Sequence, residues 1–406
     1  MGGKKVLQKD DSTLIIGAGI IGLSIGISLL ESNPKKKVFI YEKEDSLGAH
    51  ASGRNSGVIH AGFYYSPDSL KAQFCVDGNK ELRKMCRLAG LPINEVGKVV
   101  VSKNNEEDIR LQELYRRGIK NGVELELLDG KFLSRIEPAA RTNEQFLFSP
   151  NTAIASPSHV LEFMHEEFLR LGGTLIRSKN VTLSLYGDEV KAVIDGKIVS
   201  QGMVVNAAGT GALNLAKSVG VGQEYINVPF KGVYRVSTGD VPALKRLIYP
   251  VPHPINPFLG AHLTLTLDGQ IKIGPTALPV LGGERYDLTS KLRVTEVLES
   301  VKGMYAIATG REHNLFEILK EDFPKNYRRN LINEVASLVP TIKTINKWQK
   351  MPPGIRAQVV NANSGKLEQD FIVKMDKNVV HILNAVSPGW TCSIPFARWV
   401  VNEKLH

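Results

Sequence analysis

The chain has 406 residues, of which 43% are hydrophobic and 23% charged, so it is long and apolar enough for one large domain or two closely packed ones. This composition excludes a disordered, a fibrous and a disulfide-stapled protein. The formal net charge is +10, but the basic residues are spread along the sequence rather than clustered, so no nucleic-acid partner is expected.

The first thirty residues bear on where the protein is found. Residues 1–12 are polar and charged and predict no secretory signal, which indicates a cytoplasmic protein. The positive net charge leaves open a peripheral attachment to the inner face of the membrane. Residues 13–30 contain no charge, but their four glycines favour a strand, a turn and a buried helix over a membrane span.

A glycine fingerprint, Gly17-Ala18-Gly19-Ile20-Ile21-Gly22, lies between a predicted strand at 13–16 and a predicted helix at 20–30. Gly17 permits the tight turn, Gly19 lets a pyrophosphate approach the backbone, and Gly22 permits close packing of the helix on the strand. The amides at the start of the helix then bind the phosphates. A second strand at 37–41 ends at Glu42, whose carboxylate suits ribose hydroxyls and argues against the 2′-phosphate of NADP. The unit therefore predicts a dinucleotide site.

The rest of the chain favours FAD over NAD. An NAD enzyme would continue with further βα units, whereas residues 49–65 form a loop rich in glycine, serine and asparagine, which suits the flavin half of FAD. Strands are predicted at 190–193 and 203–206, the second leading into Ala207-Ala208-Gly209, and an amphipathic helix is predicted at 158–171. A strand at 379–383, a turn at 384–391 and a helix at 394–401 would bring a helix N-terminus to the pyrimidine edge of the flavin.

Several motifs together resemble one known family. The longest is the run from His50 to Tyr65, which contains NSGVIHAGFYY at 55–65 and is followed by SLKA at 69–72 and by Cys75. The others are YPVP at 249–252, FLGAHLT at 258–264, GP at 274–275 and GIRAQ at 354–358. On these motifs the chain resembles the D-amino-acid-oxidase superfamily of FAD-dependent oxidoreductases and, within it, the L-2-hydroxyglutarate dehydrogenase/oxidase family.

The resemblance implies an α/β fold with an α+β cap. A Rossmann-like FAD-binding domain would be built from residues 1–80, 150–225 and 350–406, and a discontinuous mixed-sheet substrate domain from residues 81–149 and 226–349. It also implies oxidation of an L-2-hydroxy acid, with L-2-hydroxyglutarate and 2-oxoglutarate as the best substrate and product, by hydride transfer to flavin N5. Pattern and resemblance together predict these FAD contacts: Gly17, Gly19, Ile20, Ile21, Gly22, Glu42, Lys43, Ser52, Asn55, Ser56, Gly57, Val58, Ala207, Ala208, Gly209, Ser387, Pro388, Gly389, Trp390 and Thr391.

The expected reaction needs a base for the hydroxyl proton and cations for carboxylates. His60 in the flavin loop and His262 in the presumed cap are the candidate bases, and the sequence does not choose between them. Arg356 is the first candidate for a carboxylate because guanidinium binds it bidentately. Further candidates for the substrate site are cations and hydroxyl groups at Lys71, Tyr64, Tyr65, Tyr234 and Arg235.

Two alternative functions remain, one within the same superfamily and one outside it. The chain departs from the family at Arg54, Phe63 and Trp390, which border the expected flavin pocket. An amine-directed enzyme, such as a D-amino-acid or sarcosine/glycine oxidase, is the nearest rival. A flavin-containing RNA-modifying or RNA-binding protein is a more distant one. The electron acceptor is oxygen, a quinone or an electron-transfer protein, and non-covalent FAD is favoured over attachment through His50.

The cysteines give no metal site. Cys75, Cys86 and Cys392 form no CxxC pair, so neither zinc nor an iron–sulfur cluster is expected. Their small number is typical of a reducing compartment. Cys392 lies in the terminal segment expected to face the flavin, with a buried unreactive thiol as the alternative.

Overall fold

The computed structural model describes residues 11–199, 201–239, 241–253, 258–283, 286, 294–310 and 315–405. Residues 1–10, which carry most of the polar segment at the start of the chain, lie outside this range.

The described strands and helices follow one another along the chain in an irregular alternation. The strands are β1 Thr13–Ile16, β2 Val38–Tyr41, β3 Val58–Ile59, β4 Ile93–Asn94, β5 Lys98–Val101, β6 Glu126–Asp129, β7 Gln145–Ser149, β8 Ala153–Ala155, β9 Thr174–Ile176, β10 Val181–Tyr186, β11 Glu189–Ile194, β12 Lys197–Val199, β13 Met203–Asn206, β14 Tyr225–Gly232, β15 Arg235–Ser237, β16 Leu247–Pro250, β17 His262–Leu265, β18 Ile271–Gly274, β19 Leu278–Pro279, β20 Trp348–Lys350, β21 Gly354–Asn361, β22 Val373–Asp376 and β23 Val379–Ile382. The α-helices are α1 Ile20–Ser32, α2 Leu70–Leu88, α3 Asn105–Lys120, α4 Leu133–Ile136, α5 Pro157–Arg170, α6 Ala212–Lys217, α7 Val294–Thr309, α8 Leu315–Asp322, α9 Arg328–Ala336 and α10 Gly389–Lys404.

A six-stranded sheet in the order β22-β23-β13-β1-β2-β9 forms the first layer. Strand β1 pairs in parallel with β2 and with β13, as the dinucleotide-binding pattern predicts. Helix α1 packs between α5 and α10, and α10 packs against α2. The α1 sequence is apolar on nearly every side and ten of its residues are buried, because it has helices as well as the sheet for neighbours.

A mixed eight-stranded sheet in the order β20-β15-β18-β17-β16-β5-β7-β6 forms the second layer. Strands β5 and β16 are parallel, and the other pairs are antiparallel. A separate core of buried apolar side chains includes residues of this sheet and of α3 and α9. The predicted fold class, a Rossmann-like layer with a mixed-sheet cap, is confirmed.

A smaller sheet links the two layers. In it β14, which leads into β15 of the second layer, pairs along its whole length with β21, which leads into β22 of the first layer. The predicted division at residue 350 would run between these two strands, and the domain boundaries stay a prediction.

Most predicted elements are confirmed with shifted ends. The strand at 13–16 and the strand at 203–206 have the predicted bounds, whereas the first helix continues to Ser32 and the helix at 158–171 is Pro157–Arg170. The predicted helix at 394–401 is confirmed but starts earlier than expected, because α10 begins at Gly389, within the predicted turn at 384–391, and holds Pro395 inside it. A proline normally marks a helix start, so Pro395 predicts a helix that begins next to it, and the helical residues before it were not recognised.

Among the described helices, none combines the length and the apolar character that crossing a bilayer needs.

Candidate active site

One large cavity lies where the two sheets meet. Its volume is about 1820 Å³, well above the roughly 300–1,000 Å³ of ordinary small-ligand pockets. It reaches from the glycine turn after β1 to the face of β16 and β17, so it is large enough for a dinucleotide together with a small substrate.

The glycine turn has no room for side chains. A Cβ added at Gly17 would lie 2.6 Å from the carbonyl oxygen of Ala207, and Gly17 has a φ of +103°, which L side chains rarely adopt. A Cβ at Gly22 would lie 2.0 Å from the Gly17 carbonyl oxygen. The turn and the start of α1 therefore bring the backbone to the wall of the cavity, where phosphate groups could approach it.

Glu42 joins the turn to the end of β2. One carboxylate oxygen accepts a hydrogen bond from the Ala18 amide at 2.8 Å, and the other accepts one from the Glu44 amide at 3.0 Å. A carboxylate can accept about four hydrogen bonds, so two remain for hydroxyl groups at this corner of the cavity. The residues present thus fit the adenosine ribose and the pyrophosphate of a dinucleotide.

The loop after β2 closes over the start of α1. The Ser52 hydroxyl accepts a hydrogen bond from the Ile20 amide at 3.0 Å. Asn55 holds the loop in shape, donating to the Ser52 carbonyl at 2.7 Å and accepting from the Gly57 amide at 2.8 Å. At Gly57 a Cβ would lie 2.5 Å from the Ala155 carbonyl oxygen.

The predicted contacts of the dinucleotide mostly line this one cavity. They come from the first turn, the loop, the end of β13 and the first turn of α10: Gly17, Gly19, Ile20, Ile21, Glu42, Lys43, Ser52, Asn55, Ser56, Val58, Ala207, Ala208, Gly209, Ser387, Pro388, Gly389, Trp390 and Thr391. Gly22 and Gly57 lie behind the lining and act through packing.

The other end of the cavity is bounded by the eight-stranded sheet. His262 lies at the start of β17 and is 3% exposed, and its ring stacks on that of Tyr249 with centroids 3.8 Å apart. Its Nδ1 lies 2.8 Å from the Gly260 carbonyl oxygen. Because a carbonyl only accepts, Nδ1 carries the hydrogen, and the neutral ring keeps a lone pair on Nε2. Burial lowers the pKa of His262 to about 3, with Lys98 and Lys272 adding to the effect, so the ring is neutral at physiological pH.

His60 approaches from the flavin loop. Its main-chain amide donates to the Thr391 hydroxyl at 3.1 Å, and its carbonyl accepts from the Asn79 side chain at 3.1 Å, so its backbone is fixed by α10 and α2. Its Nδ1 is buried and has no hydrogen-bond partner among the described residues. Burial, followed by the charge of Lys98, holds its pKa well below the usual value. The structure brings both candidate bases to the same cavity.

Lys71 and Arg356 line the cavity, and neither has an ion-pair partner in the described part of the chain. Burial, followed by the nearby charge of Arg356, lowers the pKa of Lys71 to about 7, while Asp370 opposes the shift. Burial also lowers the pKa of Arg356 to about 10. Its guanidinium lies over the Phe258 ring, 5.2 Å from the centroid. Two like charges this close repel each other, and an anion between them would stabilise both.

Three tyrosines of the cavity have pKa values raised by burial, so they stay protonated hydrogen-bond donors: Tyr64, Tyr65 and Tyr234. The Tyr64 hydroxyl has no hydrogen-bond partner among the described residues.

Two predicted residues lie elsewhere. Arg235 is the first residue of β15 and does not line the cavity, and burial followed by the nearby charge of Arg328 lowers its pKa. Cys392 is fully buried in α10, with Sγ 3.9 Å from the Lys71 carbonyl oxygen, and it does not line the cavity.

Sequence reasoning missed three residues of this region. Asp370 lines the cavity and accepts hydrogen bonds from the Leu70 and Lys71 amides at 2.7 and 3.1 Å, which fixes the start of α2. Tyr249 lines the cavity beside His262, and Lys98 is buried next to both histidines. Tyr249 belongs to the YPVP motif at 249–252 but was assigned no role there. Lys98 is recognisable in the sequence only as a lysine inside an apolar run.

Comparison with known proteins gives a consistent picture. The sequence profile described as FAD dependent oxidoreductase matches residues 12–403. The chain is 33% identical over 394 residues to the L-2-hydroxyglutarate dehydrogenase of Salmonella houtenae, covering 96% of this chain and 92% of that one. It is 32% identical to the mitochondrial L-2-hydroxyglutarate dehydrogenase of Mus musculus, covering 96% and 87%. Its fold matches dithionite-reduced L-alpha-glycerophosphate oxidase from Mycoplasma pneumoniae with FAD bound, with a TM-score of 0.75, 22% identity, and coverage of 98% and 96%.

Proposed function

Because the chain belongs to the FAD dependent oxidoreductase family, in the branch of the L-2-hydroxyglutarate dehydrogenases, we propose that it oxidises L-2-hydroxyglutarate to 2-oxoglutarate. The observation that carries the proposal is one cavity that holds a dinucleotide cradle and is also lined by a neutral histidine with a free Nε2 and by two cations, the buried Lys71 and the half-buried Arg356.

The cofactor is FAD, and the glycine turn, Glu42, the loop around Ser52 and the start of α10 would hold it. When bound, FAD supplies the acceptor for the hydride that leaves C2 of the substrate.

The two cations suit a dicarboxylate. Arg356 would bind one carboxylate through its fork of N–H groups, and Lys71 would bind the other as a compact charge. Both groups are desolvated before the substrate arrives, so an anion gains more from them than it would from exposed cations. Tyr64, Tyr65 and Tyr234 would add hydrogen bonds from hydroxyl groups that stay protonated.

We assign the base to His262. Its Nε2 can accept the proton of the C2 hydroxyl, and the hydrogen bond from Nδ1 to the Gly260 carbonyl would stabilise the imidazolium that forms. His60 lies on the flavin-loop side of the same cavity and would orient the substrate hydroxyl.

Peripheral membrane attachment is the second part of the proposal. On α7 the exposed apolar residues Val294, Leu298, Val301 and Tyr305 recur at helical spacing, and they are 49–74% exposed. The opposite face of the same helix lines the cavity with Glu296, Glu299 and Ser300.

Phe316 on α8, Phe323 and Tyr327 follow α7 in the chain, and they are 73%, 56% and 63% exposed. Exposed basic residues lie along the same segment: Lys302, Lys320, Arg328 and Arg329. An apolar helix face with cations beside it suits the interface of an anionic bilayer. We infer that α7 rests on such a surface, which would favour a membrane quinone over oxygen as the final electron acceptor.

Sedimentation with phosphatidylglycerol vesicles at physiological salt tests the attachment. The wild-type protein should pellet, and Leu298→Glu combined with Tyr305→Glu should leave it in the supernatant. Leu88→Glu, on the 79% exposed Leu88 of α2, is the matched control and should pellet like the wild type. Equal pelleting of all three would rule out α7 as the contact.

Anaerobic titration of the yellow protein tests the reaction itself. A panel of L- and D-2-hydroxy acids, D-amino acids, glycine and sarcosine would be added, and the flavin absorbance followed. L-2-hydroxyglutarate should bleach the flavin at the lowest concentration. Bleaching by an amine and by no hydroxy acid would establish the amine-oxidase alternative, and salt-sensitive RNA binding without any bleaching would establish the RNA-directed one.

A further inference from the structure

A buried lysine stands beside the proposed base. Lys98 begins β5, which pairs in parallel with β16, and β16 pairs with β17. Tyr249 lies opposite Val100 in this register, two residues from Lys98 and therefore on the same face of the sheet. Lys98, Tyr249 and His262 thus form a row across three neighbouring strands, with the tyrosine in the middle.

The distances within the row are short. The Lys98 ammonium lies 4.5 Å from the centroid of the Tyr249 ring. That ring stacks on the His262 imidazole at 3.8 Å, with 18° between the two planes. The imidazole is therefore in contact with the tyrosine ring, and the tyrosine ring with the lysine ammonium.

Lys98 itself is enclosed by aromatic rings. It is fully buried, and its Nζ has no hydrogen-bond partner among the described residues. Besides Tyr249, the rings of Phe63 and Tyr64 lie 4.7 and 4.6 Å from it. Cation–π attraction offsets part of the cost of burying an ammonium without a counterion, but a methionine would fill the same space at no such cost.

We infer that Lys98 is a positioning residue for the proposed base, one that supports the Tyr249–His262 stack and places a positive charge next to it. This inference rests on the proposed function, in which His262 accepts the hydroxyl proton.

The surroundings of His262 agree with this role. Lys98 faces it from β5, Lys272 from β18 and His60 from the flavin loop, and no carboxylate faces it among the described residues. The Gly260 carbonyl opposes the two cations, since it stabilises the protonated ring. Lys98 in turn faces His60, His262 and the Cys75 thiol.

The sign of the effect follows from these charges. Burial lowers the pKa of Lys98 to about 7, so the ammonium form predominates below neutral pH. A cation there opposes protonation of His262, and removing it raises the pKa of the imidazole. The acid limb of the reaction, below which the base is already protonated, then moves to higher pH.

The test is the pH dependence of flavin reduction at saturating L-2-hydroxyglutarate, where the bound dianion raises the pKa of His262 into an accessible range. Lys98→Met should move the acid limb upward by about one unit, since a neighbouring like charge shifts a pKa by roughly that much. Lys98→Arg keeps the charge and should keep the wild-type limb. Lys98→Gln is a second neutral variant, used if the methionine variant does not fold, and should move the limb like Lys98→Met.

A purely structural lysine gives a different result. Lys98→Met would then raise Tm, because an unpaired buried charge has been removed, and leave the limb where it is. If the acid limb of the pH profile is unchanged in the folded neutral variants, the inference is wrong.

His262→Asn separates this inference from the function on which it rests. If that variant loses reduction and Lys98→Met leaves the limb in place, only the role of Lys98 is wrong. If His262→Asn reduces its flavin at the wild-type rate, the base assignment fails, and the role of Lys98 fails with it.

Discussion

The two ends of the cavity are built in different ways. At the dinucleotide end, one continuous segment from β1 to β2 supplies the turn, the helix N-terminus and the Glu42 carboxylate, and most contacts are made by the backbone. At the substrate end, side chains from β5, β16, β17, β21 and α2 meet although they lie far apart in sequence. The dinucleotide end tolerates few changes of backbone shape, whereas the substrate end depends on the charges of its side chains and on which atoms carry protons.

Gly22→Val should have the largest effect, because it breaks the backbone of the dinucleotide end. Its Cβ would lie 2.0 Å from the Gly17 carbonyl oxygen, so α1 cannot stay packed on the turn. We expect protein without bound flavin, measured as flavin absorbance per mole of purified chain. Gly187→Ala, in the turn between β10 and β11, is locally strained because Gly187 has a φ of +60°, but its Cβ would meet no atom within 4 Å and the turn does not line the cavity, so the variant should retain the flavin. Equal flavin content in the two variants would contradict the steric argument.

His262→Asn should be next and should affect only the substrate end. Removing a general base slows the reaction by roughly 10²–10⁴-fold, and the flavin should stay bound because His262 is remote from the cradle. The rate of anaerobic flavin reduction measures this. His60→Asn is the matched variant and should lose less. A greater loss in His60→Asn would move the base to the flavin-loop side.

Arg356→Met should lower kcat/KM for L-2-hydroxyglutarate by about 100-fold, since a charge-assisted pair with a carboxylate contributes roughly 1.5–3 kcal/mol. Lys71→Met should lower it less, and mostly through KM. Arg235→Met changes a cation outside the cavity and should behave like the wild type. Steady-state kinetics measure kcat/KM for each variant. If Arg235→Met loses as much kcat/KM as Arg356→Met, the effect comes from the overall charge of the protein and not from the site.

Glu42→Gln should have the smallest effect. The amide still accepts one hydrogen bond but loses the charge, so FAD should bind about tenfold more weakly, as for a single charge-assisted hydrogen bond. Titration of the flavin-free protein with FAD gives the dissociation constant. Glu31→Gln, on the exposed end of α1, should bind FAD as the wild type does.

The same contrast explains what the sequence could predict. The spacing from Gly17 to Glu42 identifies the dinucleotide end without any tertiary information, since strand, turn, helix and acid follow one another directly. At the substrate end, His262 and Arg356 came from motif resemblance and not from spacing.

Lys98 and Tyr249 show why the rest could not be predicted. Their proximity depends on β5 pairing with β16, strands about 150 residues apart, and no local pattern fixes such a pairing. Arg235 was expected in the substrate site together with Tyr234, but only Tyr234 lines the cavity, and no sequence pattern distinguishes these two neighbours. The start of α10 was missed because Pro395 has the signature of a first turn.

The central claim is that a chamber for a dianion opens directly onto the dinucleotide cradle. Single-turnover flavin reduction without oxygen, comparing L-2-hydroxyglutarate, its D enantiomer and L-2-hydroxyvalerate, tests this most directly. We expect rapid bleaching by L-2-hydroxyglutarate, none by the D enantiomer, and much slower bleaching by L-2-hydroxyvalerate, which lacks the second carboxylate. Equal rates for the two L acids, or no bleaching by L-2-hydroxyglutarate, would contradict the account.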